Sequence, residues 1–164
     1  MTSTGTWSAD PRRLIGSLLA ALALAGCSLP VADKESDADA RAFYDELRAG
    51  ADLTRDTHLD PSLRAAAAAL SPADVKAQLP AGAPTKVNVT GWNYASSAGA
   101  GSVATLSHDY VYAGGKTVHV MVGLHKYPGQ ATWAIVGFRA IADGAAQPLL
   151  LGEMPRVGSG GGDD

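Results

Sequence analysis

The chain has 164 residues, with 13 basic and 16 acidic side chains, a net charge of −3, 46% hydrophobic residues and one cysteine. That length suits one small domain with a modest core. The acidic balance, without any basic cluster, excludes a phosphate-neutralising nucleic-acid surface, and a lone cysteine excludes an internal disulfide.

Arg12 and Arg13 stand before an uncharged apolar run, Leu14 to Ala25, which ends at Gly26-Cys27. A basic start, a short apolar core and small residues at a cut site make a secretory signal peptide. The run is too short for a membrane span, which needs ~20 residues to cross ~30 Å of hydrocarbon. An inert small residue of an ordinary signal, or a packed core thiol, would leave the place of Cys27 behind this segment unexplained. Leu24-Ala25-Gly26-Cys27 resembles the lipobox of bacterial lipoproteins. The resemblance implies a diacylglyceryl group on the Cys27 thiol, cleavage of residues 1–26 and a mature chain held on a membrane by three acyl chains. Each buried methylene contributes ~0.8 kcal/mol, so two or more chains anchor stably. Ser28, where an aspartate would favour inner-membrane retention, tilts the expected location in the cell envelope to the outer membrane. Leu14-Ile15-Gly16 matches twin-arginine signals poorly, which favours general secretion. Loss of Asp10, Arg12 and Arg13 leaves 15 acidic and 11 basic residues, a net charge of about −4.

Residues 27–36, with Pro30 and Asp33-Lys34-Glu35, read as the lipidated cysteine and a short tether. The folded domain is expected over residues 37–142. Its first half is helical. Ala40, Phe43, Tyr44 and Leu47 recur at i, i+3, i+4 and i+7 in a helix over Ala38–Ala49, with Asp37 and Asp39 at its start, Arg48 at its end and Gly50 as the stop. Asp52 to Leu59 fits a loose turn or a short helix. Asp60-Pro61 and Ser71-Pro72 each set a capping side chain before a proline at the first helical position. They open helices over Leu63–Leu70 and Ala73–Leu79, and Pro80 to Pro84 closes the helical half.

Thr85–Ala95, Ser102–Tyr112, Lys116–Lys126 and Ala131–Ala142 then switch to period two and read as four strands of an antiparallel meander. Two-residue turns at Gly114-Gly115 and Pro128-Gly129 place Val111 opposite Val118, Val122 opposite Ile135 and Leu124 opposite Trp133. On the other surface His108 falls opposite Met121, Tyr110 opposite His119, and His119 opposite Phe138. A one-residue change in either turn exchanges these assignments. Leu149-Leu150-Leu151 fits three states equally: docked on the domain, paired as a short edge strand, or part of a mobile tail. Residues 143–164 as a whole, ending in Gly158-Ser-Gly-Gly-Gly-Asp-Asp164, read as a largely disordered tail.

The helix Ala38–Ala49 with Phe43-Tyr44, the turn Leu79-Pro80-Ala81-Gly82 and the last strand Trp133-Ala134-Ile135-Val136-Gly137-Phe138 together resemble the NTF2-like (cystatin-like) α+β superfamily. Within that superfamily the chain looks most like small lipoproteins of Gram-negative bacteria. The resemblance implies N-terminal helices packed on a curved four-stranded antiparallel sheet, a cone whose members include binding modules, isomerases and dehydratases; the fold alone assigns no chemistry.

His108-Asp109-Tyr110 is the most chemical-looking tripeptide, but neighbours in a strand point to opposite faces and make no dyad. His119 and His125 share a face about 20 Å apart at ~3.3 Å per residue. His108 and His119, expected on one face, lack a carboxylate there, so no metal is expected. No Gly-x-Ser-x-Gly elbow or His-Glu-x-x-His helix occurs, and no cofactor or catalytic set is expected. His108, Tyr110, His119, Met121 and Phe138 would line one apolar face. That composition suits a small-ligand pocket and equally a sheet face packed on helices. Trp92 and Tyr94 add aromatic surface. The leading expectation is a non-enzymatic, lipid-anchored module that binds a small apolar ligand or an envelope protein. The rival is a small isomerase- or dehydratase-like enzyme using His108 or Tyr110.

Overall fold

The computed structural model describes residues 31–155; the expected signal peptide (residues 1–26), Cys27 and the glycine-rich end from Gly158 lie outside them. Helix α1 spans Val31–Ala49, so it begins earlier than Ala38 and takes up most of the segment expected to be a tether. Lys34, Glu35 and Ala38 are good helix formers, and Asp37 pairs with Arg41 one turn on, at 2.8 Å. Ala40, Phe43, Tyr44 and Leu47 form its buried stripe.

A 3-10 turn at Leu53–Arg55 follows. Leu59 then makes a parallel bridge to Ile135. The Asp60 carboxylate accepts from the Ser62 amide at 2.9 Å and caps helix α2, Pro61–Ala68. Helix α3, Pro72–Gln78, starts after Ser71, whose side chain makes no capping bond. There the proline alone presets the first turn.

Strands β1 (Lys86–Ser97), β2 (Gly101–Val111), β3 (Thr117–Lys126), β4 (Ala134–Ala142) and β5 (Leu149–Gly152) pair in chain order, every neighbour antiparallel. The sheet is α+β as expected but has five strands, not four. Leu149 and Leu151 are buried and Leu150 points away. That alternation lets the leucine run pair with β4 as an edge strand, and so part of the expected tail belongs to the folded domain.

The register also departs from expectation. Tyr112 donates its amide to the Lys116 carbonyl at 2.8 Å, so the turn holds Ala113–Gly115, three residues where Gly114-Gly115 suggested two. Val111 therefore meets Thr117, and Val118 meets Tyr110. Between β3 and β4 the loop is longer than a two-residue turn at Pro128-Gly129, since β4 begins at Ala134. Val122 consequently faces Phe138, and Leu124 faces Ile135. An extra residue, Val136, interrupts this ladder where Gly123 pairs with Gly137 and Leu124 with Ile135. The bulge restarts the alternation, so Ile135 and Phe138 both point inward despite their odd spacing, and both are buried.

Helices cover one face of the sheet. Ala104, Leu106, His108 and Tyr110 of β2 lie there with Val118, Val120, Val122 and Leu124 of β3 and Phe138 and Ala140 of β4, all buried. Phe43 and Tyr44 of α1 complete this core through ring contacts to Phe138 at 5.3 Å and Tyr110 at 4.1 Å. On the outer face, the chain after β5 passes over the cross-strand pair Gly123 and Gly137. A Cβ on Gly123 would collide with Pro155, and one on Gly137 with the Glu153 carbonyl. Glycine at both places permits that close approach.

Candidate functional site

The five residues expected to line one face are divided between two. His108, Tyr110 and Phe138 lie in the inner core, whereas His119 and Met121 sit on the outer face opposite Asp109 and Ser107. The extra turn residue at Ala113–Gly115 is the cause, because the side-chain period is two and a shift of one moves a whole strand's set across. His108 is opposite Val120 rather than Met121, and His119 is opposite Ile141 rather than Phe138. His108 and His119 therefore do not share a face.

On the inner face, the His108 side chain is fully buried, with Nε2 2.6 Å from Asp37 Oδ1. Asp37 in turn holds Arg41 Nε at 2.8 Å through its second oxygen. Nδ1 of His108 has no hydrogen-bond partner among the described residues. The three side chains tie α1 to β2 by charge-assisted contacts. Tyr110 stacks at a tilt on Tyr44 and lies 5.9 Å from the His108 ring. The hydroxyls of Tyr44 and Tyr112 share a buried hydrogen bond of 2.8 Å. Burial pushes the Tyr44 and Tyr110 phenols well above their ordinary range, which keeps both neutral. These rings pack with Phe43 and Phe138 in the core between α1 and the sheet.

On the outer face, His119 Nδ1 lies 2.7 Å from Asp109 Oδ1, and Nε2 lies 3.4 Å from Asp143 Oδ1. Asp143 is held by the Thr117 amide, which donates to its other oxygen at 3.1 Å. The hydrogen bond to Asp109 raises the His119 pKa more than burial lowers it, and Asp143 adds a weaker upward push. Beside them lies a shallow cleft of about 190 Å³ with Thr90, Ser107, Met121, Arg139 and Ile141 on its walls. Among the described residues no group of three or more His, Cys, Asp or Glu side chains is placed to hold a metal ion. His125 makes a separate contact, its Nε2 donating to the Ala100 carbonyl at 2.8 Å.

Sequence reasoning found the histidines and missed their partners. Asp37 is 71 positions from His108, and its acidic place near a helix start reads equally as a dipole effect. Strand alternation turns Asp109 away from His108. The same alternation places it beside His119 on the next strand.

Other surfaces are open as well. A groove of about 750 Å³ runs between the end of α3 and the β4–β5 loop, past Leu70, Leu79, Pro80, Pro148 and Leu150. On β1, Trp92 and Tyr94 stack with parallel rings, their centroids 6.1 Å apart. Both are substantially exposed. Among the described residues, no helix is long and apolar enough to cross a membrane. No family model, no curated protein and no solved structure matches this chain.

Proposed function

We propose that this protein is a lipid-anchored component of a bacterial cell envelope, acylated at Cys27, whose domain is a non-enzymatic module for a small apolar ligand or an envelope protein. Leu24-Ala25-Gly26-Cys27 behind its basic and apolar segment supports the anchor, and Ser28 favours the outer membrane. We read the helices and sheet as a variant of the NTF2-like cone, with an added edge strand and a filled interior.

One observation carries the non-enzymatic reading. His108 and Tyr110, the groups that an isomerase or dehydratase of this shape would use, are sealed in the core among Tyr44, Leu106 and Phe138. A general acid or base must come within hydrogen-bond reach of its substrate, and the side chains of these two are buried away from solvent. The open groove past Leu79 and Leu150 sets apolar walls beside the polar side chains of Gln78, Lys116, Asp143 and Gln147, a mixed lining that suits a ligand or peptide seat. Binding is therefore assigned to the helix–loop end of the domain, away from the inner sheet face.

Membrane fractionation and mass spectrometry of the N-terminus test the anchor. The wild-type chain should start at an acylated Cys27, and Cys27→Ser should remain unprocessed or become soluble. Processing and fractionation of Cys27→Ser like the wild type would overturn it. For the module, the anchored protein should take up apolar probes or envelope proteins, and Leu150→Asp should weaken that uptake. Turnover of any substrate lost selectively in His108→Ala, with the melting curve intact, would reinstate the enzyme.

A further inference from the structure

Val87, near the start of β1, packs on the core, but from Val89 onward the inner face of this strand is open. Val89, Trp92 and Tyr94 share that face because Thr90 is an extra residue in β1, which resets the alternation between Val89 and Gly91. All three are exposed large side chains. Two series of contacts connect this surface to the first turns of α1. Tyr94 meets Trp133 edge-on at 6.3 Å, Lys126 lies over the Trp133 ring at 5.9 Å, and Lys126 pairs with Glu35 at 3.6 Å. At the other end Val89 stands opposite His108, whose ring is bonded to Asp37.

We propose that Val89, Trp92 and Tyr94 are a bilayer-contact surface that seats the domain on the headgroup layer of the membrane carrying the Cys27 lipid. This seat depends on the anchored state proposed above. Cys27 stands four positions before Val31, the first residue of α1. At ~3.3–3.6 Å per extended residue the linking chain reaches at most ~14 Å. The start of α1, and the aromatic surface beside it, is thereby confined near the headgroup layer. Tryptophan and tyrosine suit that layer, because an apolar ring carries a polar N–H or O–H that stays wet. Three side chains would hold a free protein to a bilayer only transiently. With the lipid already inserted the contact is intramolecular, and the effective concentration does the rest.

The test uses the full-length, lipidated protein in vesicles of phosphatidylethanolamine and phosphatidylglycerol that contain lipid brominated close to the headgroups. After processing removes Trp7, the remaining tryptophans are exposed Trp92 and buried Trp133. The wild-type protein should float with the vesicles and show quenched tryptophan emission. Trp92→Phe should float equally, melt like the wild type and lose that quenching. Val89→Asp, which keeps both tryptophans, should reduce it and provides a second reading should Trp92→Phe alter the fold. Flotation with unquenched emission would overturn the seat alone; cross-linking of Tyr94→Cys to itself would then identify a second copy as the occupant. Failure to float, with Cys27 unmodified, would overturn the anchored state and the seat with it.

Discussion

His108 of β2 and Asp37 of α1 meet at 2.6 Å beneath the sheet, joining two elements that no local sequence pattern connects. The pair is sealed from solvent on the histidine side and backed by Arg41 on the carboxylate side. A buried polar group without a partner costs more than its bond returns, so this contact fixes where α1 crosses the sheet. The role is positional.

Asp37→Ala should therefore destabilise the domain. It leaves the buried His108 ring with neither nitrogen paired, a loss of ~1–3 kcal/mol for an orphaned polar group. Chemical denaturation of the two proteins measures it. An unchanged midpoint would mean that the histidine re-pairs or that α1 is held by its apolar stripe alone.

Tyr110→Phe should act in the opposite sense. The Tyr110 hydroxyl is buried and has no hydrogen-bond partner among the described residues. Its removal should leave stability unchanged or raise it by up to ~1 kcal/mol. A marked fall in melting temperature would show that the hydroxyl is satisfied in solution.

Trp133→Ala removes a buried ring that Tyr94 and Lys126 both touch. Large-to-small changes of this kind cost ~3–5 kcal/mol, a sizeable part of the ~5–15 kcal/mol that holds a domain together. Calorimetry should find the variant unfolded or strongly destabilised. A wild-type melting curve would contradict the burial of Trp133.

Gly123→Ala should loosen the chain after β5. Its new Cβ would occupy the place of Pro155, and overpacking of this kind costs ~1–3 kcal/mol. Faster hydrogen exchange confined to Gly152–Met154 is the expected signature. Unaltered exchange would place that segment away from the sheet.

The His119 cluster predicts a pH effect with a definite sign. Asp109 raises the folded-state pKa above the ordinary 6.5, so the stability it lends is full below about pH 6.5. It is lost as pH rises through the raised value. His119 is about half exposed, so the effect is small. Melting temperature should fall slightly across that window in the wild type and stay flatter in Asp109→Asn. A rise in the wild type over the same window would refute the assignment.

Local order determined much of this fold in advance. The stripe Ala40, Phe43, Tyr44 and Leu47 and the Asp60-Pro61 helix start depend on neighbours within a turn or two. The four longer strands follow from period-two alternation over contiguous residues, so they are legible in the chain itself. Only the tertiary structure decided which strand faces meet. A single residue, Ala113, in the turn after β2 moved Val118 and Val120 to the side of His108 and sent His119 and Met121 outward. The bulges at Thr90 and Val136 reset alternation in ways that depend on the partner strand. Leu149–Gly152 became a strand because β4 had an open edge to pair with. Asp37 found His108 because α1 crosses β2 at that point. Each of these rests on contacts between residues far apart in sequence, where one residue of turn length changes every pairing downstream.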